Sequence, residues 1–189
     1  MAHKEMYFRS RAIKKRSSLS GKRLFFLALV GLAVAMFLRY FVVDIIQVTS
    51  ASMQPTVNVG VRYLMEKITY RIGKPKRNDI IAFPSPVLKN HNLVKRIIAV
   101  EGDIIEIKNK EVYINNKKVV ENFVYHSRDT VILVGDNLGP LEVPKDVVFV
   151  MGDNRDESED SRDWKDSTTG EHIYFIQASK IKGKIILLR

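Results

Sequence analysis

The sequence predicts a mostly β protein: one N-terminal transmembrane helix followed by an antiparallel β domain of barrel or sandwich type. Three observations predict it. Leu24–Val43 (LFFLALVGLAVAMFLRYFVV) is a nearly unbroken apolar run. Beyond residue 60 the pattern changes to short apolar or alternating runs bounded by turn residues. No stretch after residue 50 keeps a helical period over a useful length.

The apolar run is about as long as a helix needs to cross a hydrocarbon core of roughly 30 Å. Leu24 to Leu38 contains no charge, and Arg39 lies near the far end, where its stem can reach the interface. Tyr40 and Phe41 suit an interfacial aromatic position. Residues 1–23 carry eight Lys/Arg and one acid, Glu5, so this tail is expected to stay in the cytoplasm. A cleaved signal peptide also begins basic and then turns apolar, but its core runs only about 7–15 residues. No small-x-small site follows this run, since Asp44-Ile45-Ile46-Gln47 is unsuited to cleavage. The expected organisation is a basic cytoplasmic tail (1–23), a retained transmembrane helix (24–43) and an extracytoplasmic domain (44–189).

The net charge of +10 belongs mainly to the tail, because residues 39–189 hold 23 bases against 20 acids. The charge map therefore argues against nucleic-acid binding and for membrane orientation. The absence of cysteine excludes disulfides, thiolate chemistry and Cys-ligated metal.

Candidate strands are Arg62–Glu66, Asp79–Phe83, Val94–Val100, Ile104–Ile107, Glu111–Ile114, Lys117–Val120, Val131–Val134 and Val147–Met151, with Ile173–Phe175 and Lys184–Leu188 as closing strands. Asn109-Lys110 and Asn115-Asn116 stand where hairpin turns belong. Pro84 and Pro86 suggest that the run ending at Phe83 is an edge or leads into a loop. Residues 110–143 are a candidate small β cap. Gly135-Asp136-Asn137 echoes Gly152-Asp153-Asn154, but three residues do not make a repeat.

Three segments carry possible chemistry. Thr49-Ser50-Ala51-Ser52-Met53-Gln54-Pro55-Thr56 can present a serine oxygen at a surface, although serines beside proline are usually loop formers. Asn92–Asp103 holds the adjacent pair Lys95-Arg96, which a strand places on opposite faces, so one of the two tends inward. An inward lysine loses solvation and can become a neutral base, while an edge lysine merely discourages aggregation. Met151–Asp163 is dense in acids, hydroxyls and arginines. It reads either as a solvated loop or as a hydrogen-bonded network of Arg-carboxylate pairs. An EF-hand reading from Asp156 fails, because its sixth position is Ser161 rather than glycine. His3, His91, His126 and His172 have no HExxH spacing, and none lies in these segments. No GxxxxGK[ST] phosphate loop occurs.

In this order and spacing, behind an apolar span, the segments resemble type I signal peptidases. Ser50-Ala51-Ser52-Met53-Gln54-Pro55-Thr56 is similar to the family's S-x-S-M-x-P-T box. Lys95-Arg96 with Gly102-Asp103 is similar to its lysine box, and Gly152 through Arg162 to its G-D-N-R-x-x-S-x-D-S-R box. Lys76–Phe83 resembles the remaining box, with Asn78-Asp79 where Gly-Asp is usual. The resemblance covers about residues 24–165.

The resemblance implies Ser52 as nucleophile and Lys95 as general base. It also implies that Ser158 orients the lysine, and that the Ser50 hydroxyl joins the Ser52 N–H in an oxyanion hole. Asp153, Asp160 and Arg162 would hold the third box in place. A neutral lysine near pH 7 requires a pKa drop of roughly 3 units from 10.4, a cost of about 4 kcal/mol met by an apolar setting. The implied fold is mostly antiparallel β, binding substrate as an added strand. The implied substrates are secretory preproteins with small residues at −1 and −3, with Val48, Met53 and Val94 near the shallow pockets. Membrane lipid is the other expected partner. No cofactor, metal or nucleic acid is expected, and the expected location is the bacterial cytoplasmic membrane, spanned once.

The chain departs from the pattern after Arg162, where Asp163-Trp164-Lys165 replaces an aromatic followed by glycine. The alternatives are a tethered non-catalytic β domain that binds preproteins, disfavoured because Ser52 and Lys95 are both present, and a self-cleaving repressor-type peptidase, which would be soluble and carry a DNA-binding segment.

Overall fold

The computed structural model describes residues 20–187, so most of the basic tail lies outside the described residues. The chain divides into two compact units between Met36 and Phe37. Helix α1 (Gly21–Phe41) contains an 18-residue window with a mean hydropathy of 2.2 and is long and apolar enough to cross a membrane. It stops at Phe41, two residues earlier than expected, because Val43 already begins strand β1 (Val43–Gln47).

The sheets of the second unit are antiparallel. After β1 come β2 (Arg62–Glu66), a single helical turn α2 (Thr69–Ile72), β3 (Ile80–Pro84), β4 (Asn92–Val100) and β5 (Ile104–Lys108). These are followed by β6 (Glu111–Ile114), β7 (Lys117–Lys118), β8 (Leu138–Glu142), β9 (Val147–Met151), β10 (Ile176–Gln177) and β11 (Gly183–Ile186). Seven strands form one sheet in the order β1-β2-β11-β3-β4-β9-β10, and four form a second in the order β7-β6-β5-β8. The two hairpin turns fall where expected, with Asn109, Lys110, Asn115 and Asn116 all at positive φ.

The large sheet is covered on both faces, and its composition follows from that. In β3, Ile80 and Ala82 join one apolar cluster with Val48, Met53, Val57, Met65 and Ile185. Ile81 and Phe83 join another with Ile97, Val148, Val150 and Trp164. In β9, Val148 and Val150 face that second cluster, while Phe149 and Met151 pack with Ile105, Ile107, Val112 and Ile114 of the small sheet. Strands buried on both faces read as continuous apolar runs rather than alternations. A β-bulge between Ile97 and Ala99 shifts the register of β4 against β9.

Several expectations need correction. Val131–Val134 is not a strand; three of its four side chains are exposed, Val134 by 81%. The strand lies instead at Leu138–Glu142. The strand begun at Lys117 ends at Lys118, and the closing strand is Ile176–Gln177 rather than Ile173–Phe175. Of the two readings of Pro84 and Pro86, the edge fails and the loop holds: β3 is an interior strand between β11 and β4, it ends at Pro84, and residues 85–91 form a loop. The unfamiliar stretch after Arg162 folds back on itself, with a Lys165–His172 bridge. It inserts Trp164 edge-on against Phe83 at 6.0 Å between ring centroids.

Gly183 lies where β11 passes between β2 and β3. A Cβ there would overlap the Glu66 carbonyl oxygen and approach Met65 Cγ to 2.7 Å. Gly183→Ala should therefore destabilise the protein by about 1–3 kcal/mol through overpacking, read as a lowered thermal midpoint of the detergent-solubilised full chain.

Candidate active site

Interior strand β4 carries Lys95 and Arg96, and the segment after β9 returns beside it. Lys95 is paired in register with the fully buried Ile81 of β3, and Arg96 with Ile80 and Met151. The expectation that only one of the two turns inward is corrected: both are buried, because both sheet faces are covered.

The two cations are treated differently. Arg96 Nε and Nη2 donate to the two Asp153 carboxylate oxygens at 2.8 and 2.6 Å, and Nη1 donates to the Asn78 carbonyl at 2.9 Å. Its guanidinium also stacks over Phe123, 3.9 Å from the ring centroid. Asn78 takes φ 71°, a left-handed conformation open to asparagine and glycine, so it can stand where glycine is usual. Lys95, only 2% exposed, has no carboxylate of its own among the described hydrogen bonds. Its Nζ donates to Ser158 Oγ at 2.7 Å.

Ser158 is held by a buried Arg-carboxylate lattice. Its hydroxyl donates to Asp160 Oδ2 at 2.7 Å, and that oxygen also accepts the Gly152 N–H at 3.0 Å. Arg162 grips Asp160 through Nε at 2.9 Å and Nη2 at 3.0 Å, and reaches the Arg155 carbonyl at 2.8 Å. Ser161 Oγ accepts the Val150 N–H at 3.0 Å, fastening the loop to β9. Gly152 has no room for a side chain, since a Cβ would overlap Ser158 Oγ and the Ser52 carbonyl oxygen.

Ser52 lies in a 3-10 turn (Ala51–Met53) that packs against β4 and against the Arg155–Glu157 turn. Its carbonyl accepts the Asn154 N–H at 3.0 Å. The Ser52 side chain is buried, with its Oγ 3.1 Å from the Oγ of the exposed Ser50. No Ser52–Lys95 hydrogen bond occurs among the described residues. Val48 and Met53 are buried in one apolar cluster, and the half-buried Val94 packs against it.

Burial lowers the Lys95 ammonium most, Asp160 raises it, Arg162 lowers it, and Asp163 and Glu159 raise it; the balance leaves it at about 8. Burial pushes the Asp160 carboxyl up, but Arg162, Lys95 and Ser158 outweigh it and hold it below the ordinary range. Burial, then the neighbouring Asp160, raises Asp163 to about 6.

The sequence reading did not find the Arg96–Asp153 pair, the Asn154 tie to Ser52, or the role of Asp136, which lies buried 3.6 Å from Arg162 Nη1. The one available signal for Asp136 was the repeated Gly-Asp-Asn.

The chain belongs to the signal peptidase family, peptidase S26, whose model matches residues 21–188. It is 34% identical over 189 residues to signal peptidase I P of Bacillus subtilis subsp. natto, an alignment covering 93% of this chain and 99% of that one. It is 38% identical over 138 residues to signal peptidase I of Bacillus amyloliquefaciens, covering 71% of each. Among solved structures, a signal peptidase I from Enterococcus faecalis V583 is 30% identical with a TM-score of 0.45, covering 61% of this chain and 99% of that one. Family membership supports peptidase activity in the removal of signal peptides.

Asp153→Ala would leave the Arg96 guanidinium buried without its counter-charge, at a cost of about 3–5 kcal/mol. Urea unfolding should show this loss, and adding Arg96→Met should recover part of it.

Proposed function

We propose that this protein cleaves N-terminal signal peptides from exported preproteins after small residues of the Ala-x-Ala type, with Ser52 as nucleophile and Lys95 as general base. The observation that carries the reading is the 2%-exposed lysine held by a hydroxyl rather than a carboxylate. A carboxylate in direct contact would fix the proton on the ammonium. A serine hydroxyl can accept from the ammonium or donate to the free amine.

In the proposed reaction, the Lys95 amine takes the Ser52 hydroxyl proton as Oγ bonds to the scissile carbonyl carbon. The oxyanion is received by the Ser52 N–H and the Ser50 hydroxyl. The carbon–nitrogen bond then breaks as Lys95 returns the proton to the leaving amine. Water next attacks the acyl ester, giving a proton to Lys95, which passes it to the departing Ser52 oxygen. The Ser52–Lys95 hydrogen bond forms as substrate binds; such contacts are commonly long in unliganded enzymes. The preprotein is taken up as an extended strand. Strand β1, which among the described residues pairs only with β2, offers an edge leading to Val48 and Ser50. Val48 and Met53 are buried, and Val94 half-buried, in the apolar cluster beside this edge, where they would back pockets for small side chains.

The same reading puts the basic N-terminus in the cytoplasm and residues beyond about 44 on the outer side of a bacterial cytoplasmic membrane, next to lipid and emerging preproteins.

Two measurements test it. Purified protein in detergent should cut a secretory preprotein after its Ala-x-Ala site, while folded Ser52→Ala and Lys95→Ala variants should be inactive; activity in the lysine variant would move the base elsewhere. Below about pH 8 Lys95 is mostly the ammonium, which cannot serve as a base. The kcat/KM should therefore climb about tenfold per pH unit on the acid side and level off above it. A flat profile from pH 6 to 9 would contradict a lysine base.

A further inference from the structure

The turn joining β5 to β6 uses a residue its backbone does not favour. Asn109 and Lys110 have φ of 48° and 71°, the pair of left-handed positions for which Asn-Gly is the best sequence. A long side chain at such a position is uncommon and costs backbone energy. The next turn, with φ of 52° and 63°, uses Asn115 and Asn116.

What Lys110 gains is an interior position. Its side chain is 9% exposed, and Nζ donates to the Arg128 carbonyl at 2.7 Å and to Asp156 Oδ1 at 3.1 Å, with Asp136 Oδ2 at 3.8 Å. Both carboxylates are almost wholly buried. Asp156 also accepts the Arg128 N–H at 2.7 Å and stands 3.4 Å from His126 Nδ1. Burial pushes the Asp156 carboxyl up, but the Arg128 N–H, Lys110 and His126 outweigh it and hold it below the ordinary range. Asp136 accepts the Leu133 N–H at 2.7 Å. The Lys110 N–H itself donates to the Asp136 carbonyl at 3.0 Å.

These two carboxylates belong to the two arms that hold Ser158. Asp156 lies in the Arg155–Glu157 turn that leads directly into Ser158. Asp136 faces Arg162, which grips Asp160, the acceptor of the Ser158 hydroxyl. We propose that Lys110 is a positioning residue for the reaction: reaching out of the small sheet, it ties the Asp156 and Asp136 arms together and so keeps Ser158 Oγ at Lys95 Nζ. This inference rests on the Ser52–Lys95 reading and goes beyond it. Lys110 touches neither substrate nor the reacting atoms; it acts through Ser158.

The test uses three variants of the full chain in detergent, assayed on the same preprotein. Lys110→Met keeps the stem without the charge, Lys110→Gly removes the side chain and relaxes the left-handed backbone, and Lys110→Arg keeps the charge. The expected result is a kcat roughly 10- to 100-fold lower in the Met and Gly variants with KM changed by less than about twofold. Arg should restore most of kcat. The Gly variant should be more thermally stable than the Met variant yet equally slow, so that turnover and stability separate. Wild-type turnover in either neutral variant would overturn the proposal. So would turnover that merely follows thermal stability, or no rescue by Arg. Ser52→Ala and Lys95→Ala assayed alongside keep the two readings apart. Activity in those sinks the dyad, whereas their inactivity with unimpaired Lys110 variants sinks only the positioning role.

Discussion

The structure turns on one constraint: β4 is covered on both faces, yet carries two cations in succession. Alternation sends Lys95 and Arg96 to opposite sides of the sheet, and neither side is solvent. A buried guanidinium cannot shed its proton, so Arg96 must be neutralised in place, and Asp153 does this with two parallel hydrogen bonds. A buried ammonium has another way out, because lysine can lose its proton when desolvated. The same strand thus makes one residue a fixed strut and leaves its neighbour with a lowered pKa. Exchanging the two side chains would give neither.

The loop after β9 is arranged around that difference. Asp160 is the carboxylate that most favours the charged form of Lys95. A direct ion pair between them would hold the proton on the lysine. Instead Ser158 stands between the two, accepting from Lys95 and donating to Asp160 at 2.7 Å in each case. Arg162 and the Gly152 N–H satisfy the remaining demand of the carboxylate. The arrangement needs Gly152, because the Ser158 hydroxyl and the Ser52 carbonyl leave no volume for a Cβ between them. Its stability also depends on every member being present, since a half-satisfied buried network costs more than an apolar one.

Much of this was legible in the sequence, and the losses have physical reasons. Interior strands β3, β4 and β9 stood out as compact apolar runs, and the two-residue turns were marked by asparagine. Strand β1 was hidden because Val-Asp-Ile-Ile-Gln follows the apolar span without a break. Strand β8 was hidden because Leu138-Gly139-Pro140-Leu141-Glu142 contains the two residues that usually signal a turn. Val131–Val134 deceived in the opposite sense: it has strand composition, but no neighbouring strand pairs with it. At the candidate site, the three motif boxes named Ser52, Lys95 and Ser158; the structure brings Ser158 to Lys95 and shows no hydrogen bond from Ser52 to Lys95 among the described residues. What they could not specify was pairing. Nothing local indicates that Arg96 meets Asp153 across 57 positions, or that a turn lysine at 110 reaches a carboxylate at 156.

The departure after Arg162 bears on how far the lysine is tuned. Burial alone would drive the Lys95 ammonium lower than about 8, but Asp160, Asp163 and Glu159 resist it. Asp163, standing where an aromatic residue is usual, is itself pushed up to about 6 and is therefore mostly ionised at neutral pH. At that pH most of the unliganded protein carries Lys95 in its charged form. On the proposed mechanism, a bound preprotein strand would exclude water from the Ser52 side, deepening desolvation and strengthening each remaining interaction there. The free amine would then be produced chiefly where a peptide bond is already in position, and the resting enzyme would keep its base protonated.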